Sequence, residues 1–584
     1  MTMSSRPRRL FVASGAVITL AVAAVVGTAS AETAQASTIS AKYVISVPTC
    51  QTATKADEAS CFAMRRETVS AATPGAVPMA KTSALTAGPA GGYTPADLAT
   101  AYGFNAAATA GSTQTVGIVD AYNDPNALAD LNTFDAHYGL PAETSTSFKV
   151  VGQTGSTTSL PANDTTGWST EESLDLDAVR GVCHLCKIIL VEANSSTDSD
   201  LGTSVDTAVT LGATEVSNSY GGAETPGATT PAYEAYYDHA GVVITASTGD
   251  DGWFGFDQIN ASGTSDNAPS LPAALPSVVA VGGTSLYLNA NGTRDYETVW
   301  NENGPSDQDG LGLGKKLGAT GGGCSTLVSA PLWQSHVAGY SATTCGSKRM
   351  VGDISAIADP NTGYDIVDTY TTGGTWFTYG GTSLASPVIA AMWALAGGSG
   401  GLKHPDMALY GHFTSDTTKH TYDVTVGGNG FCDHVSPSEC AATQSSTSVN
   451  TFGLGDLDCA WKHLSATLAS GTAQCDAAPG YDGPSGVGTP IGLTTFAALA
   501  PKAVITVPSG LTHGVAATFS GTASTDPYPD GSISSYTWNF GDGGKATGAS
   551  PSHTFAASGT YTVKLVVIDN FNVTKTVTKS VVVG

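Results

Sequence analysis

Ser383 lies in the stretch Gly380-Gly381-Thr382-Ser383-Leu384-Ala385-Ser386-Pro387, where small residues run into the apolar series Val388 to Leu395. A serine so placed can act as a nucleophile at a helix N-terminus. Small neighbours let a substrate backbone approach, and the helix end favours negative charge developing beside it. The same residues would also suit a serine N-cap opening a buried helix. A nucleophile needs a base, and the stretch Trp168 to Val179 offers acids for that purpose. Taken as a helix, it puts Glu171 and Asp175 four residues apart on one face, where their carboxyls can hydrogen-bond each other. Two carboxyls so close hold a shared proton, which raises one apparent pKa and creates a base that works in acid, where a histidine would be protonated. Ser169 with Glu172 three residues later also fits a capping box, and acids in a first turn suit the helix dipole. Glu172 is read in that structural role, and Asp177 as a solvated or supporting residue.

The elements that must position these groups are legible as short apolar runs alternating with helical stretches. Val116 to Val119, Ile188 to Val191, Glu215 to Ser219, Val242 to Ala246 and Val278 to Val281 read as strands. Strands alternating with helices predict an α/β fold with a parallel sheet covered on both faces. Asp120 ends the first run and is read as a polar strand-end residue without a catalytic part. The segment Ala246-Ser247-Thr248-Gly249-Asp250-Asp251-Gly252 follows the fourth run and, by itself, is a Gly-Asp turn at a strand end.

Taken together, these stretches resemble the sedolisin family, serine-carboxyl peptidases of subtilisin-like fold, over roughly residues 92 to 500, starting from Gly92-Tyr93-Thr94-Pro95-Ala96-Asp97-Leu98. The serine segment is shared with subtilisins, but a subtilisin needs a His-Gly-Thr segment upstream, and none of the eleven histidines is followed by Gly-Thr. Glu171 and Asp175 match the sedolisin Glu-x-x-x-Asp pair, including Leu174 before the aspartate. Asp250 matches the family's oxyanion-hole aspartate, whose protonated carboxyl donates a hydrogen bond to the tetrahedral oxyanion, a contribution of about 3 kcal/mol. Asp251 stands where family members usually have serine. Ser219, Tyr220 and Gly221 resemble the edge segment whose backbone pairs with extended substrate. Gly321 to Ser325, Pro331 to Gln334, Asp353 to Ser355 and Ala358 to Pro360 are further family-like landmarks, with Gly352 replacing a usual proline. The resemblance also implies one structural Ca2+ held by the carboxylates of Asp423 and Asp482 and the carbonyls of Val424, Ala478 and Gly480, an all-oxygen set suited to a hard cation. It implies a serine-type endopeptidase acting on proteins or peptides. The competing reading is a catalytically silent extracellular binding or adhesion protein on a peptidase scaffold, against which stand four filled catalytic positions.

The 584 residues carry a net charge of −25 with only 12% charged side chains, which argues against nucleic acid or an anionic membrane surface as partner. Arg6, Arg8 and Arg9 precede an apolar run from Leu10 to Val26 and the small-residue sites Ala29-Ser30-Ala31 and Ala34-Gln35-Ala36. This reads as a cleavable signal peptide over residues 1–36, hence a secreted, extracellular protein with no membrane association after cleavage. Export makes the ten cysteines an oxidised set. Pairing sequence neighbours joins Cys50 with Cys61, Cys183 with Cys186, Cys324 with Cys345, Cys432 with Cys440 and Cys459 with Cys475. Cys183-His184-Leu185-Cys186 lacks the second pair that a zinc site would need. Residues 37–90 show no sustained periodicity and read as a short propeptide or leader, leaving 91–500 as the peptidase domain. From about Pro501 the texture changes to alternating Thr, Val and Ser with Asp/Gly turns. Ser534 to Gly543, His553 to Phe555 and Gly559 to Val567 resemble a PKD domain, an all-β sandwich over 501–584. Trp538 and Phe540 are expected in its core, and a polymer or cell-surface component is its expected ligand.

Overall fold

The computed structural model describes residues 43–53, 55, 57–70, 77–79, 87–225, 229–253, 268–302, 318–413, 419–430, 473–528 and 531–584. The expected signal peptide and Cys432, Cys440 and Cys459 lie outside these residues. No helix among the described residues is long and apolar enough to cross a membrane.

All five apolar runs form strands, Thr115–Ala121, Lys187–Ala193, Glu215–Asn218, Val243–Ser247 and Val279–Leu288. They belong to an eight-stranded sheet in the order Arg294–Val299, Val279–Leu288, Val243–Ser247, Glu215–Asn218, Thr115–Ala121, Lys187–Ala193 and Phe148–Gly152, with Ile354–Ile357 also paired to Val279–Leu288. Every pairing is parallel except that of Arg294–Val299. Alternation along the strands divides their side chains between two layers. Val116, Ile118, Ile188 and Leu190 share a core with the helices Trp168–Val182 and Thr382–Ala396. Val119, Ala121, Ile189 and Val191 share another with Leu201, Val205 and Ala208 of the helix Asp198–Thr210. Helices therefore cover both faces, because each strand is apolar on both sides.

The helix Trp168–Val182 follows Gly167, whose φ of +104° turns the chain and whose Cβ would collide with the Thr49 carbonyl. Its first amides are served by Asp164, which accepts from the N–H groups of Thr166, Gly167 and Ser169 and from the Ser169 hydroxyl. The capping box expected between Ser169 and Glu172 does not form, because Asp164 already occupies that place. Glu172 is instead buried with both carboxyl oxygens unpartnered among the described residues. Asp177 is not solvated either; it is buried and accepts the Val367 N–H at 2.9 Å.

Gly381, with φ +93°, opens the helix Thr382–Ala396, so Ser383 sits inside the first turn and is not its N-cap. Pro387 has no N–H to give the Ser383 carbonyl one turn back. That carbonyl accepts from the Ser219 hydroxyl instead, at 3.2 Å, so a strand-end side chain completes the helix.

The expected leader is more structured than its sequence suggests. Tyr43–Pro48, Met64–Val69 and Val77–Pro78 join Tyr364–Asp368 and Thr375–Gly380 in a five-stranded sheet, and Ser60–Cys61 pairs with Tyr220–Ala223. Three expected disulfides are present, Cys50–Cys61, Cys183–Cys186 and Cys324–Cys345. The C-terminal module is antiparallel throughout. Lys545–Thr547, Ile533–Asn539, Gly559–Asp569 and Thr574–Val583 form one sheet, and Ala516–Thr518 pairs with Ser552–Thr554. Trp538 and Phe540 are fully buried in its core, as expected. This module packs on the helix Met407–His412 through Tyr528, whose hydroxyl accepts the Leu499 N–H at 2.8 Å and whose ring faces Gly411. Phe571 meets that ring edge-on at 5.6 Å.

Candidate active site

Ser383, Glu171, Asp175 and Asp250 come from two helices and a strand end, and all four are buried. The Ser383 hydroxyl donates to the Ser219 carbonyl at 3.2 Å. Glu171 and Asp175 share a helix face, as their spacing predicts, and each has a donor of its own. Glu171 Oε2 accepts the Ala63 N–H at 2.8 Å, while Asp175 takes the Ser219 hydroxyl on both oxygens at 2.8 Å. Ser219 thereby ties the acid helix to the Ser383 helix. Among the described residues, no histidine hydrogen-bonds to any of the four.

Asp250 follows the strand Val243–Ser247 and reaches the start of the Ser383 helix. Its Oδ1 accepts the Thr382 N–H at 2.8 Å and the Thr382 hydroxyl at 2.7 Å. Its Oδ2 is buried and has no partner among the described residues. A Cβ on Gly381 would stand 2.7 Å from that oxygen and would overlap the Phe62 carbonyl oxygen. Glycine at 381 is therefore required both by its positive φ and by this close approach.

Burial dominates the electrostatics of the site. It pushes Glu171 well above the usual carboxylate range, and Asp175 adds to this, while the Ser383 hydroxyl and the amides of Ala63 and Phe62 pull back. Asp175 is raised by burial and restrained by the Ser219 hydroxyl. Asp250 is raised by burial against the opposing Thr382 amide and hydroxyl, with Asp251 and Glu171 pushing the same way as burial. Three carboxyls so placed favour neutral forms, and charge that does form is shared.

One further acid belongs to this cluster. Asp120 ends a strand as the sequence implies, but both its carboxyl oxygens are buried without a partner among the described residues. It is raised by burial first and then by Asp175, Glu171 and Glu192. The available signal was its place at the C-terminal end of a parallel strand, where α/β sheets gather their sites. Behind it, Glu172, Glu192 and Asp124 extend the acids inward, with Glu192 pushed to about 8 and Asp124 to about 7, mainly by burial.

The segment Ser219, Tyr220 and Gly221 offers its backbone as a strand edge. Tyr220 and Gly221 pair antiparallel with Cys61 and Ser60, and the Ser219 carbonyl accepts the Phe62 N–H at 3.3 Å. Cys50, Cys61 and Glu171 converge, but both sulfurs are in the disulfide and supply no thiolate ligand. Gly352 has φ +140° with its Cβ direction filled by the Gly483 carbonyl, so a proline is excluded there.

The expected calcium ligands also meet. Asp423 accepts the Gly480 N–H at 3.1 Å, and Asp482 accepts the Ala478 N–H at 2.8 Å and the Ser485 N–H at 2.9 Å. Asp482 is fully buried and pushed to about 8 by desolvation, with Asp423 adding repulsion and no cationic side chain among the causes. Two carboxylates held against one glycine-bearing loop, with no ion pair to either among the described residues, fit a hard cation.

A subtilase family profile matches residues 152–450, and a PKD domain profile matches 498–583. The chain is 33% identical over 359 residues to sedolisin of Pseudomonas sp. (strain 101), covering 59% of this chain and 57% of sedolisin. It is 30% identical over 425 residues to kumamolisin of Bacillus sp. (strain MN-32), covering 70% of this chain and 64% of kumamolisin. Among solved structures, Pseudomonas sedolisin complexed with two molecules of pseudo-iodotyrostatin superposes with a TM-score of 0.52 at 28% identity, covering 69% of this chain and 96% of that one. The α/β sheet is thus subtilisin-like, and the C-terminal module is a PKD domain. The matched parts span somewhat more than half of the two curated relatives.

Proposed function

The chain belongs to the subtilase family, and from that premise we propose that it is a secreted, acid-acting serine-carboxyl endopeptidase. Ser383 attacks the scissile carbonyl, and Glu171 takes its proton and returns it to the leaving amine. Asp175 orients Glu171 and shares its charge, and protonated Asp250 donates to the oxyanion. One observation carries this reading: a buried serine stands among three carboxyls, two from one helix and one from a strand end, with no histidine among its described partners. Burial raises all three acids, which favours the protonated form that Asp250 needs as a donor. The substrates are proteins or peptides, bound as an added strand on Tyr220–Gly221.

The organisation that suits this activity is a signal peptide to residue 36, a leader to 90, a peptidase domain over 91–500 and a PKD module over 501–584. The module serves a polymer or cell-surface ligand. Asp423, Asp482 and the three carbonyls would hold one calcium ion, which neutralises the two carboxylates when bound and braces their loop. The test is digestion of a denatured protein at about pH 4 by the secreted enzyme and by Ser383→Ala. Fragments should come from the wild type alone; fragments from both, or from neither, would overturn the reading.

A further inference from the structure

One short helix touches both the expected calcium loop and the PKD module. Met407–His412 has six residues, five of them buried. From Tyr410 its contacts run toward the loop. The Tyr410 ring lies 5.9 Å from that of Tyr481, which stands in the chain between Gly480 and Asp482. The Gln334 side-chain amide donates to both hydroxyls, at 3.0 Å and 3.1 Å, so the two tyrosines are held together. The Tyr410 hydroxyl also donates to Asp353, whose carboxylate takes Arg349 at 2.6 Å and whose carbonyl accepts the Val487 N–H at 2.8 Å, just past the loop. Phe413, directly after the helix, brings its ring within 4.0 Å of where a Cβ on Gly480 would stand. From Gly411 the contacts run the other way. The Tyr528 ring lies on the bare Gly411 Cα, where a Cβ would come within 2.6 Å of it. Tyr528 and Val573 of the module are buried in the core cluster of the peptidase, not in the module's own core around Trp538. His412 Nε2–H donates to the Ala497 carbonyl at 2.8 Å, where the chain leads into the module.

We propose that this helix couples calcium binding at Asp423 and Asp482 to docking of the PKD module, so that the seated module holds the loop ready for the ion and a filled loop holds the helix ready for the module. The proposal rests on the calcium reading of that loop. Its physical ground is close packing, which passes a displacement on instead of absorbing it. A helix of under two turns has no interior length in which to bend. Gly411 therefore cannot shift under the Tyr528 ring without carrying Tyr410 and Phe413 along. Tyr481 must follow, because Tyr410 and Gln334 hold it, and the backbone from Gly480 to Asp482 moves with it. That backbone sets the spacing of the two carboxylates. Asp423 accepts the Gly480 N–H, and Asp482 accepts the N–H groups of Ala478 and Ser485 on either side. Linkage makes the effect reciprocal: the factor by which docking raises calcium affinity is the factor by which calcium favours docking. Glycine at 411 is the feature that admits the module, since any side chain there would meet the Tyr528 ring.

The test uses the full chain carrying Ser383→Ala, which prevents digestion during handling. This parent is stripped of metal by chelator and titrated with calcium chloride by calorimetry at one fixed pH. Adding Tyr528→Ala should weaken calcium binding roughly fivefold or more, the lower end of ordinary coupling between sites. If that variant does not fold, Gly411→Val displaces the same ring from the peptidase side and should shift the affinity in the same direction. Hydrogen exchange reads the reciprocal effect. The Leu499 N–H, which donates to the Tyr528 hydroxyl at 2.8 Å, should exchange faster after chelation of the parent chain and should not respond to calcium in Asp423→Ala. Equal or tighter calcium binding in the Tyr528 or Gly411 variant would overturn the coupling and leave the calcium reading standing. Leu499 exchange indifferent to calcium in a parent chain that binds it would do the same. No calcium uptake by the parent, or uptake unchanged by Asp423→Ala, would overturn the calcium reading itself.

Discussion

Replacing Asp250 by asparagine isolates the role of one proton. Thr382 fixes Oδ1 from its amide and its hydroxyl, at 2.8 Å and 2.7 Å, so an asparagine at 250 must present its carbonyl there. Its NH2 then falls where the unpartnered Oδ2 now points. The variant therefore keeps a donor that cannot ionise. In the wild type the raised pKa of Asp250, caused chiefly by burial, keeps the donor proton at acid pH and loses it as pH rises through the folded-state value. Above that pH the residue is an anion facing a developing oxyanion. Removing one such donor costs about 2.7–4 kcal/mol, a factor of roughly 10² to 10³ in turnover. Wild-type kcat on a soluble peptide between pH 3 and 8 should fall by at least that factor toward neutrality, beyond what the Glu171–Asp175 pair itself contributes. Asp250→Asn should start lower, or equal, and hold its activity to higher pH. Asp250→Ala should lose the same factor at every pH. Because the acids interact, the limbs belong to the set as a whole. Superimposable profiles for Asp250→Asn and wild type would refute the reasoning.

Chelation of metal should lower the melting temperature of the holoenzyme, since an ion that binds only the folded state adds roughly 2.7 kcal/mol at a hundredfold excess over its Kd; an unmoved melting temperature in protein shown to have lost its metal would remove Asp423 and Asp482 as ligands. Truncation after residue 500 should leave peptide hydrolysis intact, because the four site residues lie before it, but should lower thermal stability by baring the surface under Tyr528 and Phe571; collapse of hydrolysis in a truncated protein that remains folded would contradict this. Stability should also fall as pH rises at constant calcium. Glu171, Glu172, Asp175 and Asp120 are all raised by burial, as are Asp124 to about 7 and Glu192 and Glu215 to about 8. Between the unfolded values near 4 and about 8, the native state binds more protons than the unfolded chain, so stability is lost through that window. A melting temperature higher at pH 8 than at pH 4 would contradict these shifts.

What could be read in the sequence followed from local spacing. Glu171 and Asp175 are one helical turn apart, Ser383 stands where small residues meet an apolar run, and the five strands are continuous apolar segments because both their faces are covered. What could not be read depends on partners far along the chain. Glu172 satisfies a capping pattern by letter, yet Asp164 takes the helix amides because Gly167 turns the chain toward it. Asp120 looks like any strand-end acid until the sheet sets it beside Asp175. The leader strands were hidden for the same reason. Met64–Val69 carries two arginines and a glutamate, and pairs with Tyr379 and Gly380, more than three hundred residues away. No periodicity in this stretch could announce that the Ala63 amide reaches Glu171.

The central claim is that a carboxyl pair, and not a histidine, activates Ser383 in acid. The most direct measurement is kcat/KM on one soluble peptide from pH 3 to 8 for the wild type and for Glu171→Gln, both brought to the same N-terminus. The wild type should peak in acid and fall before neutrality, and Glu171→Gln should lose about 10² to 10⁴-fold across the range. A wild-type optimum near pH 8, or a glutamine variant within a few-fold of wild type, would contradict the account.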